Sequence, residues 1–179
     1  DASKVRVLMN LPDPEIFAKP VAPTFSETPR LIYHGTVAKR LGARLAVEAM
    51  QQVLAHLPCR LEIYGTGDDA DAVRQCINEN QLGDAVVFPN QAFRVDQVPK
   101  LLAGAALGLV PTLADDCTRY MLPVKLLEYV FLGIPAVVGR LPTIEHYFRG
   151  DQVSYFTPGD ARDLADKILA LLRDVHVRE

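Results

Sequence analysis

Short apolar runs alternate along this chain with longer stretches whose apolar residues return at helical spacing. The short runs cover residues 5–9, 31–34, 61–64, 85–88, 107–110, 136–138 and 153–156, and most have no polar alternation. Uniform apolarity predicts strands covered on both faces, as in a parallel sheet. Between them, Leu41, Leu45, Ala49, Val53 and Leu57 recur every four residues, and Leu164, Ile168, Leu171, Leu172 and Val175 follow an i, i+4, i+7, i+8 stripe. Pro158-Gly159 breaks the chain ahead of Asp160, which stands at an N-cap position with Asp163 at N3. Asp68 and Asp96 predict the starts of helices over 69–81 and 97–104. Pro123 suits the first turn of a helix over 124–132, where its missing N–H costs nothing.

Strand–helix units joined by short loops predict an α/β fold, a single Rossmann-like doubly wound parallel sheet. Residues 30–179 form that domain. Residues 1–29 read as one strand followed by a proline-rich connector. No repeat or low-complexity tract interrupts the pattern.

Composition narrows the function classes. With 49% hydrophobic residues the chain can offset its folding entropy, which excludes disorder. The 19 basic and 22 acidic residues give a net charge of −3, the wrong sign for a protein that neutralises nucleic-acid phosphates. Cys59, Cys76 and Cys117 form no C-x-x-C and are too few for a disulfide framework, which suggests a reducing compartment. The most apolar stretches, 101–114 and 126–138, are interrupted by Gly, Pro or Glu128 and are too short to span a bilayer. The opening Asp1-Ala2-Ser3-Lys4 suggests a piece of a longer chain.

In open parallel sheets ligands bind beyond the carboxyl ends of the strands, which directs attention to residues 35–42, 65–69, 88–94, 111–123 and 139–145. Gly65-Thr66-Gly67-Asp68-Asp69-Ala70 fits the dinucleotide pattern G-x-G-x-x-G/A after a strand. Asp68 and Asp69 argue against it. A carboxylate about 4 Å from a phosphate costs on the order of 4 kcal/mol, more than a helix dipole returns. The segment therefore reads as a tight turn with capping aspartates. Asp69-Ala70-Asp71 contains D-x-D, but residues i and i+2 of a helix start point apart, so no metal site is expected.

The segment from Asp115 to Pro123 carries more. It joins a strand to the helix over 124–132, whose orphan N–H groups around Leu122 form an anion site, with Arg119 and Lys125 adding positive charge. Glu128 interrupts the apolar residues Leu126, Leu127, Val130 and Phe131. Such a carboxylate either binds a ribose diol, which offers it two donors, or is exposed and paired with Lys125 at i−3; spacing alone leaves both open. His34, at a strand end, reads as a packed or hydrogen-bonded histidine.

Lys125-Leu126-Leu127-Glu128-Tyr129, followed by Gly133-Ile134-Pro135-Ala136-Val137-Val138, resembles the nucleotide-sugar-binding half of group 1 (family 4) glycosyltransferases, which have the GT-B architecture. The likeness covers essentially the whole chain. Asn10-Leu11-Pro12-Asp13-Pro14-Glu15-Ile16-Phe17 is similar to the family's interdomain motif, Tyr33-His34-Gly35-Thr36 to its glycine loop, Leu61-Glu62-Ile63-Tyr64-Gly65-Thr66-Gly67 to its strand ending in G-x-G, and residues 154–172 to its closing strand, turn and helix.

The resemblance implies a retaining, metal-independent transferase of polysaccharide or glycoconjugate synthesis that uses a nucleotide-diphosphate sugar and no cofactor. It further implies an N-terminal acceptor domain outside this chain, and a location in the cytoplasm, free or peripheral to the inner face of the membrane. In the family signature E-x7-E the second glutamate, matched by Glu128, holds the ribose. The first, which touches the sugar, falls on Tyr120, whose hydroxyl or the nearby Asp116 is the expected substitute. The family's G-R-x4-K-G falls on Gly35, Thr36, Leu41 and Gly42, without either cation, so Lys39 and Arg40 are the candidates to reach the diphosphate. Arg119 and Lys125 are expected to stabilise the leaving diphosphate. Phe88, Asn90 and Arg94 are candidates to frame the base, and Glu145 matches a family glutamate without an assigned role. The alternatives are a non-catalytic domain that keeps the fold, and a sugar-nucleotide epimerase of related architecture, whose acid–base groups would come from His34, Asp115 and Asp116.

Overall fold

The apolar runs become the strands of one parallel sheet. The computed structural model describes residues 4, 6, 9–17 and 28–174. Its strands are β1 (Arg30–His34), β2 (Arg60–Tyr64), β3 (Val86–Val87), β4 (Leu107–Val110), β5 (Ala136–Gly139) and β6 (Ser154–Phe156), in the spatial order β3-β2-β1-β4-β5-β6 with every pairing parallel. The helices are α1 (Ala43–Leu54), α2 (Ala70–Glu79), α3 (Val98–Leu102), α4 (Val124–Phe131), α5 (Pro142–Tyr147) and α6 (Ala161–Arg173). Strand order reverses between β1 and β4, the arrangement that opens a crevice at the carboxyl ends of those two strands.

Alternate residues of each strand feed two cores. Leu31, Tyr33, Leu61 and Ile63 pack with α1, α2 and α6; Ile32, Val110 and Val138 pack with α3, α4 and α5. Phe17 is buried in the second core, its ring edge-on to Phe131 at 6.2 Å, so the 13–17 turn docks on α4. The same face carries a part-buried polar cluster around buried Glu62. Arg30 donates to both oxygens of Glu62 (3.2 and 2.7 Å) and to the carbonyls of Leu101 and Ala103 at the end of α3, while Tyr64 donates to Glu62 Oε2 at 2.9 Å.

Several expectations shift. The strand expected over 5–9 lies largely outside the described residues; Arg6 and Met9 are described and neither is in a strand. The third strand contracts from 85–88 to Val86–Val87, because only its edge facing β2 is paired. Asp160 caps α6 as expected, accepting from the N–H groups of Arg162 and Asp163. Asp68 and Asp96 do not cap. Asp69 precedes α2 and its side chain makes no capping bond. A 3₁₀ turn, Val95–Gln97, leads into α3; Gln97 Oε1 accepts from the Arg94 N–H, and Asp96 pairs with the Arg94 side chain at 3.0 Å. Pro123 is the residue before α4, not its first turn. Helix α5 occupies residues read as loop, with Pro142 supplying its start. Among the described residues no helix is long and apolar enough to cross a membrane.

Candidate functional site

The glycine-rich turn after β2 serves backbone packing. Val37 donates its N–H to Thr66 O and accepts at its own carbonyl from Asp69, so the loops after β1 and β2 clip together. A Cβ on Gly65 would stand 1.8 Å from Gly35 O, and one on Gly67 2.0 Å from Val37 O. That close approach demands glycine without any pyrophosphate.

The switch point is built on another missing side chain. A Cβ on Gly108 in β4 would fall 2.4 Å from the Tyr129 ring, so glycine there lets Tyr129 reach from α4 across β4 to β1. Its hydroxyl lies 3.1 Å from Ile32 O and 3.0 Å from His34 Nδ1. The adjacent residue, Glu128, places Oε2 2.5 Å from His34 Nε2. Both are buried, with Glu128 8% and His34 6% exposed. Burial pushes the His34 imidazole below its ordinary pKa, against the opposing pull of Glu128. Of the two readings of Glu128, the exposed partner of Lys125 is excluded.

Lys125 stands three residues before Glu128 and points elsewhere. Its Nζ lies 3.6 Å from the Tyr33 ring centroid, close under Gly35. Burial pushes its ammonium down to about 7, with Glu128 pulling the other way. Beside it, the N–H groups of Val124 and Lys125 at the start of α4 have no intrahelical carbonyl to bond, whereas Leu126 donates to Pro123 O.

Two adjoining cavities open here. One, of about 220 Å³, is bounded by Tyr64, Ala92, Phe93, Val98 and Leu101; the other, of about 350 Å³, by Thr112, Met121, Pro123, Lys125 and Glu128. His34, Gly35, Thr36 and Phe93 line both, so they form one cleft. The first has aromatic walls, Tyr64 and Phe93, packed edge to face at 5.2 Å. A further cavity of about 390 Å³ lies near the amino ends of β5 and β6, among Gly133, Ile134 and Gly150–Ser154 residues. It is at the edge of the sheet opposite to the one where such folds hold ligands.

The structure gathers some of the expected residues and disperses others. Glu128, Lys125 and Gly35 share the cleft, with half-buried Leu122 just before Pro123. Arg119 and Tyr120 do not line it. Arg119 stacks over the Tyr120 ring at 5.3 Å, and both border a separate cavity with Thr143, His146 and Tyr147. Asp116, in a loop, and Lys39 and Arg40, in a 3₁₀ turn, are exposed and do not line the cleft either. Phe88 packs beneath the Arg74 guanidinium, and Asn90 takes a left-handed turn conformation with φ of 51°. Arg94 pairs with Asp96 and Glu145 with Arg140. Phe93, not singled out from sequence, supplies the aromatic wall; its only signal was an aromatic residue in the loop following β3. Asp115 orders the loop before α4, its carboxylate held below the usual range by the N–H groups of Thr118 and Cys117.

A family model, glycosyl transferases group 1, matches residues 28–174. The chain belongs to that family. No curated protein sequence matches it. Among solved structures, HepE from Anabaena, in complex with UDP and glucose, superposes with a TM-score of 0.68 at 20% identity, covering 85% of this chain and 41% of that one. A TarM variant from S. aureus, in complex with ligands that include UDP, gives 0.74 at 16%, covering 87% and 30%. The C-terminal domain of a group 1 glycosyl transferase, LpcC from Francisella tularensis, gives 0.71 at 14%, covering 89% and 88%. These likenesses establish the fold of a GT-B C-terminal domain. The chain spans 41% of the HepE structure and most of the LpcC domain.

Proposed function

We propose that this chain binds the donor of a retaining, metal-independent glycosyltransferase, a nucleotide-diphosphate sugar used in polysaccharide or glycoconjugate synthesis, and that an N-terminal domain supplies the acceptor. The observation that carries the reading is the position of Glu128, a buried carboxylate on the wall of a cleft at the strand-order reversal. In the family that residue holds the ribose. The aromatic cavity beside it suits a base, and Lys125 with the α4 amino end suits the diphosphate. Solved relatives in complex with UDP agree with that ligand class.

As the glycosidic bond to the diphosphate breaks, negative charge grows on the leaving oxygen. Preorganised N–H groups and an ammonium at that point stabilise the transition state more than the ground state. Tyr120 faces away from the cleft, so the contact that the family's first glutamate makes with the sugar is not assigned to it. That departure favours one second reading, a domain that keeps nucleotide binding without transfer.

Isothermal titration with a panel of nucleoside diphosphates tests the proposal. Saturable binding of at least one, weakened by about 1.5–3 kcal/mol in Glu128→Ala, supports it. No binding, or equal affinity in the variant, overturns it.

A further inference from the structure

His34 links Tyr129 to Glu128 beneath the cleft. A carboxylate can only accept, so His34 donates its Nε2–H to Glu128 Oε2. Burial favours the neutral ring, so Nδ1 is an acceptor for the Tyr129 hydroxyl at 3.0 Å, a hydroxyl that also lies 3.1 Å from Ile32 O. His34 thereby occupies one oxygen of the carboxylate and holds the group in the cleft wall, leaving Oε1 for a ligand.

We infer that His34 is a positioning residue for ribose recognition: anchored through Tyr129 to β1, it grips Glu128 by Oε2 and presents Oε1 to a ribose hydroxyl of the donor. The inference deepens the donor-binding proposal and rests on it. The groups facing His34 are Tyr64 from β2 and Lys125, Glu128 and Tyr129 from α4; α3 presents only Val98 and Leu101. Lys125, a cation, opposes the protonated imidazole, so the pair is tuned from both sides.

The test compares UDP with 2′,3′-dideoxy-UDP by titration calorimetry. The wild-type chain should prefer UDP by about tenfold or more. His34→Leu should bring the two ligands to within about twofold of each other, whereas His34→Gln, whose amide can donate from near the Nε2 position, should keep most of the preference. A structural role alone would weaken both ligands equally and leave the ratio unchanged. In the free chain, ¹⁵N NMR should find the ring proton on His34 Nε2, its signal moving in Glu128→Gln. A wild-type ratio in His34→Leu, or an unprotonated Nε2, overturns this inference and leaves donor binding standing. A wild-type chain that binds no nucleoside diphosphate overturns the donor reading, and the positioning role with it.

Discussion

Lys125 and Tyr33 meet face on, ammonium over ring at 3.6 Å, and no carboxylate among the described residues forms an ion pair with that lysine. A cation held by an aromatic face instead of an anion stays available to an incoming diphosphate. Lys125→Met should therefore weaken nucleoside diphosphate binding by about 1.5–3 kcal/mol without unfolding the chain. Titration calorimetry and a thermal melt of the same variant measure the two effects separately.

The same lysine gives binding a pH dependence of defined sign. Its pKa in the free chain is pushed down to about 7, and a bound diphosphate stabilises the charged form and raises it. The complex thus holds more protons than the free chain above that pH, so affinity falls as pH rises. At pH values about one unit above 7, binding should take up close to one proton, measured as a dependence of the calorimetric enthalpy on buffer ionisation heat. Lys125→Met should abolish the uptake.

The aromatic cavity predicts a split between ligands. Phe93→Ala should cost a nucleoside diphosphate about 1–3 kcal/mol of stacking while leaving inorganic pyrophosphate unaffected. Equal losses for both ligands would place Phe93 in support of the loop and not against the base.

Arg30 and Glu62 form a part-buried ion pair that ties α3 to the sheet. Burial alone would raise the Glu62 carboxyl, but hydrogen bonds from Arg30 and Tyr64 outweigh it and hold the pKa below its ordinary value. Stability from this group is present above the unfolded carboxyl range and is lost as pH falls through the lower folded value. Glu62→Leu leaves the half-buried Arg30 without its carboxylate and should destabilise the chain by about 1–3 kcal/mol in urea denaturation.

Much of the sheet was legible because strands covered on both faces leave an uninterrupted apolar signal, as at Leu107–Val110. Helix ends were less so. Asp160 followed the capping rule, whereas Asp68 was displaced by a turn whose geometry depends on the loop after β1. Glu128 stood out because a carboxylate among Leu126, Leu127 and Val130 needs a reason. His34 read as a packed or hydrogen-bonded histidine, but its pairing with Glu128 did not show, since the two lie 94 residues apart and only the fold unites them. Nor could spacing show that Arg119 and Tyr120 stack on each other and turn towards α5. Side-chain direction in a long loop is set by contacts such as the bond from Thr143 Oγ1 to Arg119 O, which sequence does not announce.

The central claim is that a nucleotide lies along the β1–β4 crevice with its ribose on Glu128. A crystal structure of the chain with UDP tests it most directly. The account predicts a ribose hydroxyl within hydrogen-bond distance of Glu128 Oε1, the diphosphate at Lys125 and the α4 amino end, and the base against Phe93. A nucleotide seated instead at the amino ends of β5 and β6, or one whose ribose makes no contact with Glu128, would contradict it.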